Sequence, residues 1–169
     1  MERSRVKDVN AIFVASLIGE FLTPGGIAPS ITARTKRDAL NVAAEIAARA
    51  CGLKPARVFE ALWDRETIGS TGVGHGVAIP HAQLGGLDRV RGVFLRLKPP
   101  VDFGAVDDEP VDLVFALLAP TQCGSDHLRA MAMVARELRS AELRHQLRRA
   151  SGTDAILALL TRDVRSNAA

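Results

Sequence analysis

The spacing of hydrophobic positions along this chain changes several times, and each change marks an element. Apolar residues fall at 39, 40, 43, 46, 47 and 50, the repeat of one helix face. Thr35, followed three residues later by Asp38, predicts a capping box at the start of that helix. Gly52 with Leu53 behind it predicts a left-handed stop at its end. A second helix begins at Pro55, a residue suited to the first helical position. Phe59, Leu62 and Trp63 form its stripe, and it is expected to end near residues 65–67. Upstream, Ser16 is placed to cap a short helix over residues 17–22, which Pro24-Gly25-Gly26 stops. Residues 27–31 read as a strand. Downstream the repeat shortens. Residues 77–79 form a brief apolar run that Pro80 ends, biasing Ile79 toward extended backbone. Residues 90–97 alternate in part, with Val93, Leu95 and Leu97 set against Arg91 and Arg96. Residues 111–118 are almost continuously apolar, the pattern of a central strand buried on both faces. The intervening stretch 99–110 reads as an acidic loop. The remainder is helical, over about 126–139, 141–149 and 154–160, with Ser125, Ser140 and Thr153 as the expected N-caps.

The element order is therefore β-α-α-β-β-β-α-α-α. Strands and helices are not regularly interleaved, which argues against a doubly wound parallel sheet. The expected class is α+β: a three-layer α/β/α sandwich whose mixed sheet of four to five strands is covered by helices on both faces. Residues 1–15 are expected to be an N-terminal extension, 16–161 a single domain and 162–169 a C-terminal tail. The length of 169 residues fits one domain.

Composition narrows the classes. Hydrophobic residues at 47% and charged residues at 24% exclude a disordered tail or a fibre. Aromatic residues at 4% leave few platforms for stacking nucleic-acid bases. The pI of about 9.3 reflects an excess of only +3, with both signs interspersed rather than gathered in a stripe. Arginines 136, 139, 144, 148 and 149 are interrupted by Glu137 and Glu142 and read as a solvated helix face, so no nucleic-acid partner is expected. Cys51 and Cys123 make no disulfide framework, which fits a reducing compartment. Cys51 reads as a small core residue, and His145 as a surface residue. Arg3, Arg5 and Lys7 before the apolar run 11–18 superficially resemble an export signal. Glu2 and Asp8 dilute that charge, and no cleavage site follows. The run is too short to span a bilayer. A cytoplasmic location without membrane insertion is expected.

The stretch from Arg65 to His81 carries the candidate chemistry. Gly69, Ser70, Thr71, Gly72, Gly74 and Gly76 crowd one short loop. Glycines permit close backbone approach, so successive N–H groups can converge on an anion, and the two hydroxyls add donors. A structural turn explains the same glycines, and both readings stand. His81 follows a strand, and a neutral imidazole is a competent nucleophile toward phosphorus. Arg65 is a fork donor suited to phosphate oxygens. Rival glycine motifs fail. A phosphate loop needs Lys where His75 stands, a dinucleotide loop needs Gly where Val77 or Ile79 stands, and Ser70 directly follows Gly69, which breaks the nucleophile-elbow spacing. His127 shares a helix face with Met131, Val134 and Leu138, which suits a core histidine. Its place at a helix N-terminus equally suits a phosphate-facing one. His75, His81, Cys123 and His127 are four potential zinc ligands, without the tight pairs that zinc sites use; a zinc hydrolase is the remote alternative.

The residues Arg65-Glu66, then Gly69-Ser70-Thr71-Gly72, then Gly76-Val77-Ala78-Ile79-Pro80-His81 resemble the active-site signature of the IIA components of the bacterial phosphotransferase system. The match is with the fructose/mannitol class and more closely with its nitrogen-related branch. Residues 110–120 and 126–139 resemble the second signature of that class, and the likeness covers about 16–161. The resemblance implies a three-layer α/β/α fold and a phosphoryl group accepted on Nε2 of His81 from a histidine-containing phosphocarrier protein. It implies that His127 and Arg65 stabilise that group, and that neither metal nor cofactor is used. The nitrogen-related branch acts as a phosphorylation-dependent regulator of target proteins, whereas the sugar branch passes the group to a IIB domain. A lone IIA domain fits the regulator better. Val73, Val77 and Ile79 are candidate docking residues or core.

Overall fold

A computed structural model describes residues 18–162. The expected extension and most of the expected tail lie outside that range. Residues 18–21 form a helical turn, and Pro24–Gly26 a single 3-10 turn. The strands are β1 (Ile27–Ile31), β2 (Gly72–Gly74), β3 (Val77–Ala78), β4 (His81–Gln83), β5 (Arg91–Val101) and β6 (Val111–Ala119). The helices are α1 (Lys36–Cys51), α2 (Pro55–Ile68), α3 (Asp126–Leu138), α4 (Ala141–Arg149) and α5 (Thr153–Thr161).

The sheet is mixed. Its order is β1-β5-β6-β3-β2, and β4 continues the path of β3 along β6. β6 pairs antiparallel with β5 and parallel with both β3 and β4. Its side chains alternate between two buried layers. Val114, Ala116 and Leu118 face α1 and α2, whereas Leu113, Phe115 and Leu117 face α3, α4 and α5. This is the three-layer arrangement expected, with six strands rather than four to five. The two additional strands are β2 and β4. Gly72–Gly74, expected as loop, forms a hairpin with β3, and a Cβ on Gly72 would lie 2.7 Å from that of Ala105, so only glycine fits there. β4 has no hydrophobic pattern of its own; pairing of His81 with Leu117 makes it a strand. β5 also runs on through Pro99 and Pro100 to Val101, beyond the predicted end.

Local signals hold where they are self-contained. Thr35 and Asp38 form the reciprocal capping box of α1, and Gly52 ends it at φ +67°. Ser140 accepts from the Leu143 N–H to cap α4. Ser125 makes no capping bond, and Gly152 rather than Thr153 precedes α5. Two arginines are structural. Buried Arg144 donates to the carbonyls of Leu138 and Arg139 at the end of α3, and Arg96 donates to Pro29, Leu147 and Ala150, tying the α4–α5 connection to the sheet. The solvated-face reading therefore fails for Arg144. Arg148 is exposed but engaged, pairing with Asp112. Arg162, where the tail was expected to begin, donates to Gln146.

Phe115 is fully buried, edge-on to Phe21 and Phe94, and beside Gly92, whose Cβ would meet its ring at 2.9 Å. Phe115→Ala is expected to cost about 3–5 kcal/mol. Urea unfolding should show a lower midpoint with an unchanged slope.

Candidate active site

The site begins with a proline. Pro80 has no N–H and interrupts the strand path between β3 and β4. Its carbonyl still accepts from Leu117, and the Ile79 N–H turns to the Thr71 carbonyl at 3.0 Å. The Ile79 carbonyl accepts instead from Nδ1 of His81 at 2.9 Å. A carbonyl can only accept, so Nδ1 carries the proton, and Nε2 of the neutral ring is left with its lone pair.

Arg65, in the last turn of α2, donates from Nε to that Nε2 at 3.2 Å and from Nη1 to the Gly69 carbonyl at 2.9 Å. The Gly69 contact fixes the guanidinium in place. His127, in the first turn of α3, lies with its ring centroid 5.7 Å from that of His81 and tilted by 48°. Its side chain is buried, and its Nδ1 has no hydrogen-bond partner. Together these groups line a shallow open groove of about 560 Å³ whose edge includes Ile68 and Gln83. Ile68, on the edge of the groove, is 83% exposed, and Leu128, the residue after His127 in the chain, is 67% exposed. Among the suggested docking residues, Val77 and Ile79 belong to the core and Val73 is half exposed.

Burial pushes His81 below the ordinary imidazole range, and the Arg65 charge adds to this. The Ile79 carbonyl and the Glu66 carboxylate work in the opposite direction. Burial lowers His127 as well, with His81 contributing. Both rings are therefore neutral at neutral pH.

Arg65, His81 and His127 are thus brought together. The glycine-rich loop is not. Ser70 donates its hydroxyl to the Phe103 carbonyl and accepts from the Gly72 N–H. Thr71 gives both its N–H and its hydroxyl to Glu66. Gly74 and Gly76 adopt positive φ and pack against Asp107 and against Arg148 and Asp112 respectively. None of Ser70, Thr71, Gly72, Gly74 or Gly76 is among the residues that line the groove, and the Ser70 and Thr71 hydroxyls are engaged within the fold. Among the described residues, no three His, Cys, Asp or Glu side chains are placed to hold a metal ion. Cys51 is half-buried, and burial raises its thiol.

Sequence reasoning quoted Glu66 in the signature but gave it no role. It is 3% exposed and pairs with Lys36 at 3.4 Å. The unused signal was its register: Val58, Leu62 and Glu66 recur every four residues on the buried face of α2.

The family model for the phosphoenolpyruvate-dependent sugar phosphotransferase system, EIIA 2, matches residues 20–163. A nitrogen regulatory protein of Bradyrhizobium diazoefficiens is 43% identical over 143 residues, covering 85% of this chain and 94% of that protein. The nitrogen regulatory protein IIA-Ntr of Neisseria meningitidis superposes with a TM-score of 0.81 at 36% identity, covering 85% of this chain and 99% of the other. Enzyme IIA for mannitol from Escherichia coli, solved in complex with phosphorylated IIB, superposes with a TM-score of 0.70 at 25% identity, covering 82% and 96%. The chain belongs to the EIIA type 2 family and is a phosphotransferase-system component that carries phosphoryl groups. It is more similar to these nitrogen-regulatory proteins than to the mannitol one.

NMR titration is expected to place the midpoints of His81 and His127 below 6.5. The folded state then binds fewer protons than the unfolded chain as pH falls below about 6.5, so stability should drop with acidification through that range. Midpoints above 6.5 and flat stability would contradict this environment.

Proposed function

We propose that His81 is the phosphoryl acceptor, through Nε2, and that the protein works mainly as a phosphorylation-dependent regulator. The observation that carries this is the Nδ1–H bond to the Ile79 carbonyl, which leaves Nε2 unprotonated in an open groove between Arg65 and His127. The Nε2 lone pair attacks phosphorus on the phosphohistidine of a histidine-containing phosphocarrier. The new N–P bond forms as the donor's N–P bond breaks, and that electron pair returns to the donor ring. His81 keeps its Nδ1 proton, and the Ile79 carbonyl stabilises the positive charge that develops on the ring. The Arg65 fork supplies N–H donors to the phosphoryl oxygens. His127, whose ring lies beside that of His81 on the groove, supplies another polar contact to the group.

The regulatory emphasis follows the greater similarity to nitrogen-regulatory proteins. Phosphorylation sets about two negative charges in the groove beside exposed Ile68, which is enough to change what docks there. Onward transfer to a IIB domain is a second reading, favoured by the same open groove and by the mannitol relative solved with its IIB partner. Either action belongs in the cytoplasm with its donor. Among the described residues, no helix is long and apolar enough to cross a membrane.

Incubation with phosphoenolpyruvate, enzyme I and the phosphocarrier is expected to add the mass of one acid-labile phosphoryl group to the wild type and none to His81→Ala. Normal labelling of His81→Ala would overturn the assignment. Arg65→Ala and His127→Ala should fold normally and accept the group about 10²-fold more slowly in single-turnover assays.

A further inference from the structure

Glu66 is the least exposed of the buried polar and charged residues described, and its position on the α2 stripe is one that leucine would fill without burying a charge. Lys36 neutralises it from one side. From the other side, the Thr71 N–H reaches both carboxylate oxygens at 3.1 and 3.3 Å, and the Thr71 hydroxyl donates to Oε2. Thr71 is thereby held at three points, because its carbonyl accepts from the Ile79 N–H. The Ile79 carbonyl is the acceptor for Nδ1 of His81. A continuous path thus runs Lys36–Glu66–Thr71–Ile79–His81, and each link is a hydrogen bond or ion pair. It ends on the ring nitrogen opposite the one that the proposed chemistry uses.

We propose that Glu66 is a positioning residue for phosphoryl transfer, fixing through Thr71 the Ile79 carbonyl that holds His81 in its Nδ1–H tautomer. This rests on the reading of His81 as phosphoryl acceptor. In the other tautomer the proton sits on Nε2 and the attacking lone pair is gone. A histidine turned by a backbone carbonyl depends on whatever fixes that carbonyl, and partners one shell out commonly change activity by about 10- to 100-fold. Here the carbonyl lies in a two-residue break between β3 and β4, where the sheet ladder does not hold it. Glu66 also lies one residue from Arg65 on the same helical turn, so a single turn of α2 touches Nε2 directly and reaches Nδ1 through the loop.

The test uses the full chain and two readouts. Long-range ¹H–¹⁵N NMR reports the His81 tautomer without any partner, and single-turnover transfer from the phosphorylated phosphocarrier reports rate. Wild type is expected to show the Nδ1–H form. Glu66→Leu should show mixed tautomers and about 10- to 100-fold slower transfer with a cooperative thermal transition retained. Thr71→Val should shift both readouts in the same direction, and Thr71→Ser, which keeps the hydroxyl, should restore them. Should Glu66→Leu fail to fold, the Thr71→Val and Thr71→Ser pair decides the matter. An unchanged tautomer in a folded Glu66→Leu or Thr71→Val protein overturns the proposal, even if transfer slows. If wild type accepts no phosphoryl group at His81, the reading of the acceptor fails, while the tautomer measurement still decides whether Glu66 positions the ring.

Discussion

In a sheet covered by helices on both faces, backbone carbonyls are normally taken up by the neighbouring strand. Pro80 interrupts that ladder beside β6, and the Ile79 carbonyl there accepts from a side chain instead. The side chain belongs to His81, two residues on, and the bond decides which of its nitrogens carries the proton. Ring orientation and the direction of the lone pair depend on it, whereas the neutral charge state comes from burial. The packing around it exists to hold this short stretch still: Ala78 and Ala82 lie buried against the α1–α2 layer, and Ile79 against the other.

The groups that meet at His81 come from all three layers. Arg65 arrives at the C-terminal end of α2 on one face, His127 at the N-terminal end of α3 on the other, and His81 from the sheet between them. Helix polarity suits each. A cation offsets the negative end of α2, and the exposed N–H groups of α3 favour an anion nearby. Because the three sit on separate elements, the groove forms only when both helical layers pack on β6. Site geometry and core packing are for that reason coupled in this protein.

What could be read in advance was local. Thr35 with Asp38, Gly52, the β6 hydrophobic run and the helical period of α1 all act within a few residues, and the structure follows them. Arg65, His81 and His127 were legible as a set through the resemblance of two motifs, and the fold brings them together. The loop donors were not legible. Whether Ser70 and Thr71 point at an anion or at Phe103 and Glu66 depends on partners elsewhere in the chain. β4 was missed for the same reason, since its strand character comes from Leu117 and Leu118 rather than from its own three residues. Ser125 shows the converse limit: a suitable capping residue stands at the right place, but its backbone is already helical and its side chain caps nothing.

The contact between Arg65 and Nε2 has a kinetic meaning. With His81 as the proposed acceptor, the lone pair that would attack phosphorus is already occupied as a hydrogen-bond acceptor in the resting protein, so the ring is latched rather than merely exposed. An incoming group must offer the guanidinium something better than a neutral nitrogen. A dianionic phosphoryl group does, because it accepts two parallel N–H bonds at once, whereas water or an uncharged electrophile does not. On the proposed mechanism, the first event at this site is thus an exchange of acceptors on one arginine, and the cargo itself releases the latch.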